Sequence, residues 1–442
     1  MFKIKLKYRY RISAAAFALL AMPGCSVQYR GQKEISGRLE RFEQLTGHHA
    51  GFALYDSGKQ KMVAAHQADK YFTPASNMKL LTMYAALKLL PDSLPALRYQ
   101  ERGDSLVFWG TGDPSFLHAR LEGTKAASFL VNSGRQLFFA PGRHTGAFYG
   151  RGWQWDDYND DYQAEINEFP VMGNVLSISA HKGKLQTLPR LFQAYLAADS
   201  SDRDTSFHIT RAFTQNSFTY PPLSIPPNYT QQLPYKLSHT LTLALLSDTL
   251  KKRVTTLNRT LPADAKTLYS TPTKLAIKEM MLPSDNFIAE QLLLVCADRL
   301  GDTLSGEKTI KTVLSRYLSD LPDKPVWVDG SGLTRYNLIT PRSLIEVLKR
   351  IRSEFKEDKA LYDLLPAGGN RGTLKAAYPA TDKPFVFGKT GSFSNNYNQA
   401  GYIVTKKGNT YLFAFMNNNF VKPTAQIRAA IADVVTYVYE KM

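Results

Sequence analysis

Phe72-Thr73-Pro74-Ala75-Ser76-Asn77-Met78-Lys79-Leu80-Leu81 is the stretch on which the reading of this chain turns. An extended, proline-containing approach ends at Ser76. Beyond it Met78, Leu81, Tyr84, Ala85 and Leu89 recur at three- and four-residue steps, and Leu80 and Leu87 widen the apolar face. That periodicity predicts a helix with Ser76 at its mouth. A serine there feels the positive end of the helix dipole, which favours an oxyanion nearby. Lys79 stands one turn further on the same face, within reach of the Ser76 hydroxyl. A lysine acts as a base only when burial or a neighbouring cation pulls its pKa down. The apolar helix offers the burial, and Lys389 offers the cation.

Ser-x-x-Lys alone is a weak signal, because a chain this long holds about two by chance. Others run from Ser179 to Lys182, Ser305 to Lys308 and Ser353 to Lys356. The first follows a strand-like run, the second lies in a polar connection, and the third sits near a helix end where no dipole helps an anion. Two further motifs single out Ser76. Ser284-Asp285-Asn286 falls in the break between helices expected over 272–282 and 286–300, where a loop can aim side chains into a cleft. Ser284 is suited to pass a proton to a leaving amine. Asn286 can donate to a substrate carbonyl and touch Lys79. Taken alone, Ser-Asp-Asn reads as a plain helix cap. Lys389-Thr390-Gly391 ends a strand over 385–391 that opens an antiparallel meander with 402–404 and 411–415, closed by a helix over 424–439. On an edge strand the Lys389 cation and the Thr390 hydroxyl suit a terminal carboxylate. Gly391 lets a substrate backbone lie close. The main-chain N–H groups of Ser76 and Ser392 complete an oxyanion hole, worth about 3–4 kcal/mol per donor.

The 442 residues predict more than one domain, and 44% hydrophobic residues supply real cores. The formal charge of +17 includes Lys3, Lys5, Lys7, Arg9 and Arg11 near the N-terminus. What remains is still basic, which suits an anionic polymer or a membrane surface. No zinc knuckle, RNP-like strand or concentrated basic helix supports nucleic acid. The five basic residues precede an apolar run over 12–23, too short to span a bilayer, and then Gly24-Cys25. This reads as a signal peptide over 1–24 with lipidation at Cys25, hence a periplasmic body on a membrane anchor. The only other cysteine, Cys296, falls in a leucine-rich helix, so no disulfide is expected.

Lys79 and Ser284 are separated by 204 residues. A compact serine acyltransferase needs far less, so the gap implies an insertion. The expected division is a first catalytic half over 25–92, an inserted accessory region over 93–262 and a second catalytic half over 263–442. The insert reads as largely β, with short strands at 106–109, 136–139 and 147–149. A proline-rich connector follows over 222–234, then a helix over 238–253 leading back to the core. Asp156, Asp157, Asp160 and Asp161 read as solvated turn acids; neither metal nor cofactor is expected. The glycine-rich turn Asp329 to Arg335 lacks the Lys-Ser/Thr of a phosphate loop.

The three motifs, together with Gly112-Asp113-Pro114, Asp329-Gly330-Ser331-Gly332-Leu333-Thr334-Arg335, Leu365-Pro366-Ala367-Gly368-Gly369 and Gly372-Thr373-Leu374, are similar to the S13 peptidase family. These are D-alanyl-D-alanine carboxypeptidases/endopeptidases, the low-molecular-mass class C penicillin-binding proteins. The resemblance implies an α+β, β-lactamase/transpeptidase-like catalytic domain, its antiparallel sheet flanked by helices and split by the insert. It also implies hydrolysis of peptidoglycan stem peptides and acylation by β-lactams. A serine β-lactamase, a related esterase and a non-catalytic cell-wall-binding or penicillin-sensing lipoprotein are the alternatives. The oligomeric state is not legible in the sequence.

Overall fold

The computed structural model describes residues 23–442, with side chains from residue 31. The expected leader and the Cys25 side chain lie outside this description. The chain opens with α1 (Pro23–Thr46), the hairpin β1 (His49–Asp56) and β2 (Lys61–His66), and α2 (Lys79–Leu89). A single 3-10 turn, Ala75–Met78, delivers the chain into α2.

The chain then leaves through β3 (Ser93–Arg102), β4 (Ser105–Gly110), α3 (Lys125–Asn132) and β5 (Gln136–Phe139). A hairpin follows, β6 (Val175–His181) with β7 (Lys184–Leu188). Its turn residues Lys182 and Gly183 both have positive φ, matching the right-handed twist of the strands. Next come β8 (Leu196–Ala198), β9 (Thr210–Arg211), β10 (Phe218–Tyr220), β11 (Thr230–Pro234), α4 (His239–Leu250), β12 (Val254–Thr256) and β13 (Lys266–Pro272). The larger sheet has the order β12-β5-β4-β3-β13, and two three-stranded sheets accompany it. Phe169 packs edge-to-face against Phe108, Phe116 and Phe139 at the heart of one apolar cluster.

Some local expectations change here. Residues 147–149 form no strand; they lie in an irregular loop flanked by Gly146, Gly150 and Gly152. The proline-rich connector contains β11, which pairs with β6 and buries Leu233. α4 does not lead back to the catalytic core. Its Leu245, Leu246 and Leu250 are buried in the insert's own cluster. Because β13 pairs with β3, we place the return to the catalytic half at Thr273, past the expected boundary at 262.

The second half supplies α5 (Thr273–Met281), α6 (Asn286–Leu300), α7 (Gly306–Tyr317), α8 (Pro341–Ser353) and α9 (Asp358–Tyr362). It ends with β14 (Val386–Phe393), β15 (Asn396–Val404), β16 (Thr410–Asn418) and α10 (Thr424–Lys441). The catalytic sheet is antiparallel, in the order β14-β15-β16-β1-β2. The two halves of the chain therefore meet in a strand pair, β1 against β16. Strand alternation sorts their side chains to opposite faces. Phe52, Leu54, Phe413 and Phe415 face a cluster with α1 and α10, while Ala53, Tyr55, Leu412, Ala414 and Met416 face α2, α6 and α8. The chain is thus α+β, a helix-flanked antiparallel sheet carrying a largely β insert.

α6 is the central helix, buried on every side from Asn286 to Asp298. Its Asp298 carboxylate is fully buried and pairs at 2.7 Å with both Arg98 of β3 and Arg143 of the insert. This ion triad ties the insert to the catalytic body. Removing the shared carboxylate leaves two cations facing each other with little water. Asp298→Ala is expected to cost about 3–5 kcal/mol, read as a lowered denaturant midpoint.

Candidate active site

The turn before α2 is made under constraint. Ala75 holds φ +49°, a region that residues with a Cβ seldom adopt. Two glycines make room for the turn. A Cβ on Gly332 would lie 2.0 Å from the Ala75 carbonyl oxygen, and one on Gly391 would lie 2.2 Å from that of Pro74. The strand carrying Lys389 and the loop carrying Ser331 therefore press against the backbone on either side of Ser76.

Lys79 is fully buried, and its Nζ has three neighbours. It donates to Ser76 Oγ at 3.0 Å, to Asn286 Oδ1 at 2.6 Å and to the Ser331 carbonyl at 2.7 Å. Burial pushes its pKa down to about 8, although Asp285, Asp329 and Glu290 all pull the other way. Burial, more than the second cation, is what lowers it. The second lysine is also fully buried: Lys389 Nζ donates to Ser284 Oγ at 2.8 Å and to the Thr390 carbonyl at 2.7 Å. Burial, then the charge on Lys79, holds Lys389 well below the usual lysine range. The structure thus joins Ser76, Lys79 and Asn286 in one chain of contacts and Lys389 with Ser284 in another.

Ser284 also takes a positive φ, +66°, in the break between α5 and α6. Asp285 caps α6 by accepting from the Ile288 N–H at 2.9 Å, and its other oxygen pairs with Arg120 of the insert. Thr390 Oγ1 donates to Thr373 Oγ1 at 2.8 Å. A cavity of about 360 Å³ opens over these groups, lined by Ser76, Ser284, Asn286 and Ser392, with Gln154, Asp157 and Tyr162 from the insert. A neighbouring cavity of about 470 Å³ continues past Ser284 and Asn286 along the insert.

Sequence reasoning missed the supports of this site. Glu290, buried on α6, accepts from the Ser331 N–H at 2.7 Å and the Gly330 N–H at 3.0 Å. Asp329 accepts from the Gly332 and Thr334 N–H groups at 2.9 and 2.8 Å. The glycine-rich turn does cradle anions, but they are the protein's own carboxylates. An acid at position 290, between the apolar residues 287–289 and 292–297 of α6, was the available signal. The rejected serines also look different. Ser305 is a true helix N-cap, accepting from the Lys308 N–H at 3.2 Å, rather than part of an irregular connection. What disqualifies it is exposure of Lys308, not the lack of a helix terminus.

A five-stranded antiparallel sheet with a Ser-x-x-Lys turn against its Lys-Thr-Gly edge strand defines the β-lactamase/transpeptidase-like class of serine-site proteins. The chain belongs to the D-Ala-D-Ala carboxypeptidase 3 (S13) family, whose model matches residues 31–438. It is 29% identical over 169 residues to D-alanyl-D-alanine carboxypeptidase DacB of Haemophilus influenzae, covering 36% of this chain and 35% of that protein. It is 32% identical over 160 residues to carboxypeptidase DacB of Mycolicibacterium smegmatis, covering 34% of this chain and 35% of that protein. The matched segments thus span about a third of each relative. The fold is similar to the crystal structure of penicillin-binding protein 4 (dacB) from Haemophilus influenzae, with TM-score 0.73, 19% identity, and coverage of 91% of this chain and 99% of that one. The same protein complexed with a novel β-lactam matches with TM-score 0.67 at 18% identity, covering 92% and 99%.

Gly391→Ala tests the packing of the site. The added methyl meets main-chain oxygen, which cannot swing aside as a side chain can. Acylation by a penicillin is expected to fall by about a hundredfold, since displacements of about 1 Å cost that much, while far-UV circular dichroism stays unchanged.

Proposed function

We propose that this chain is a serine-type D-Ala-D-Ala carboxypeptidase/endopeptidase that acts on peptidoglycan stem peptides through an acyl-enzyme on Ser76. One observation carries the reading. Two of the three neighbours of Lys79 Nζ are carbonyl oxygens, Asn286 Oδ1 and Ser331 O, and these can only accept. A neutral amine has two N–H bonds and one lone pair. The ammonium donates to all three neighbours; once it loses the proton facing Ser76, both N–H groups stay on the carbonyls and the lone pair faces Ser76 Oγ, whose proton it then takes.

The proposed reaction follows from that arrangement. Lys79 takes the Ser76 proton as Oγ bonds to the penultimate D-Ala carbonyl carbon. The developing oxyanion accepts from the main-chain N–H groups of Ser76 and Ser392. As the carbon–nitrogen bond breaks, Ser284 relays the proton that Lys79 had taken to the departing amine, which returns Lys79 to its neutral form. Water then splits the ester and releases the shortened peptide. Lys389 and Thr390 meet the substrate's terminal carboxylate, whose charge offsets the burial of the lysine. Gly391 leaves room for the substrate backbone. β-Lactams acylate the same serine. The insert and the neighbouring cavity border the site where a cross-linked peptide would lie.

We also propose that the chain works outside the cytoplasm, held to a membrane by lipid on Cys25. The charged leader, its short apolar run and Gly24-Cys25 support this. No helix among the described residues is long and apolar enough to cross a membrane. Cys25→Ser is expected to abolish incorporation of radiolabelled palmitate and to move the protein from the membrane to the soluble fraction.

Labelling with a fluorescent penicillin tests the enzyme reading. Wild type should take a stable label and release D-alanine from a D-Ala-D-Ala peptide, and Ser76→Ala should do neither. A label that persists in Ser76→Ala would sink the assignment, and rapid loss of label from wild type would mark a β-lactamase. The pH dependence has a definite sign. Neutral Lys79 is the active form and its pKa is pushed down to about 8. The acylation rate should therefore rise with pH, reach half its plateau near pH 8 and level off above.

A further inference from the structure

Of the two carbonyl oxygens that receive Lys79, one belongs to a side chain held directly from the inserted domain, and the other to a turn that the insert reaches through Asp329. Asn286 Nδ2 donates to the main-chain carbonyl of Tyr162 at 3.1 Å, which fixes the amide with Oδ1 towards Lys79. Trp153 Nε1 donates to Asp329 Oδ2 at 2.9 Å. That carboxylate accepts from Gly332 and Thr334, and its Oδ1 also accepts from Asn337 Nδ2 at 2.7 Å. It therefore holds the turn that presents the Ser331 carbonyl. Glu290 clamps the same turn from α6, and Thr82 donates to its Gly330 carbonyl at 2.6 Å.

Both contacts come from residues 153–162. Trp153 lies over Gly150, where a Cβ would sit 2.3 Å from Nε1, so the indole is seated by the absence of a side chain there. Gln154, Asp157 and Tyr162 of the same stretch line the cavity above Ser76. Trp153 itself is not among the residues lining that cavity.

We infer that residues 153–162 of the insert are a positioning element for the base: through Asp329 and Asn286 they set the two carbonyl oxygens that leave the Lys79 lone pair to Ser76. This rests on the reading of Lys79 as the base. The insert is then part of the catalytic constellation, and Trp153 is a positioning residue within it. A purely structural linker would hold the two halves together without touching the acceptors of the base.

The charged groups facing Lys79 are Asp285, Glu290 and Asp329, with Lys389 on the adjacent strand. Loosening the Ser331 carbonyl removes a partner that favours the ammonium. The Lys79 pKa should then fall, and the rising limb of acylation should move to lower pH. The plateau should fall as well, because the neutral amine is aimed less well.

The test uses the full chain and the rate of acylation by a fluorescent penicillin across pH 6–10. Trp153→Phe removes the N–H donor and keeps most of the ring. Expected are a plateau lowered about tenfold, as for a small misplacement of a reacting group, and a half-rise displaced to lower pH, at an unchanged melting temperature. Glu290→Gln, which disturbs the same turn from α6 and removes a charge that favours the ammonium, should move the half-rise in the same direction. A lower plateau with an unmoved half-rise in Trp153→Phe would mean a merely structural role and overturn the inference. So would an unchanged rate and profile. Titration of the Lys79 amine by 15N NMR reports the same displacement without any turnover. Wild type that takes no penicillin would count against the proposed function, whereas an unmoved Lys79 titration in Trp153→Phe would count against this inference alone.

Discussion

A primary amine buried away from water, with two carbonyl oxygens and one hydroxyl around it, is the interaction on which the rest of this structure depends. Lys79 Nζ sits 2.6 and 2.7 Å from Asn286 Oδ1 and the Ser331 carbonyl, and 3.0 Å from Ser76 Oγ. Each neighbour comes from a different part of the chain: the turn before α2, the start of α6, and the glycine-rich loop after α7. The fold must bring all three within hydrogen-bond distance of one nitrogen. The close approaches at Gly332 and Gly391, and the positive φ of Ala75 and Ser284, mark where that convergence is tightest.

Burial acts in opposite directions on the ionisable groups here. It lowers Lys79 and Lys389, and it raises Glu290 to about 7 and Asp329 above the usual carboxylate range. The two acids remain acceptors for main-chain N–H groups, so the carboxylate is useful even where its solvation is poor. They also oppose the loss of the Lys79 ammonium. The Lys79 amine therefore rests between a burial that neutralises it and nearby acids that resist, which leaves its pKa at about 8.

The insert shares in this balance. Its Arg98 and Arg143 pair with Asp298 at the C-terminal half of α6, and its Arg120 pairs with Asp285 at the N-terminus. Trp153 and the Tyr162 carbonyl reach Asp329 and Asn286 beside the Lys79 amine. A region that interrupts the catalytic fold in sequence is thus hydrogen-bonded to both ends of its central helix and to the loop beside it.

The α+β class, and the approach of Lys79 to Ser76 one turn away, were legible in the sequence because periodicity and short-range spacing are local properties. An i, i+3 pair on a helix must face one way whatever the rest of the chain does. Local rules could not separate Ser76 from Ser305, since both stand at a helix start. Nor could they show that 222–234 contains a strand, because that strand exists only by pairing with β6. Asp329, Trp153 and the Tyr162 carbonyl were silent for the same reason. Their parts in the site consist of contacts across many residues of chain, and the Tyr162 and Ser331 acceptors are backbone atoms of a kind that every residue carries. The sequence by itself determined the fold class and the placing of Lys79 one turn beyond Ser76. Only the tertiary structure decided that Lys79 and Lys389 are both buried, which acceptors surround the Lys79 amine and what holds them there, because burial and direction are properties of the packed chain.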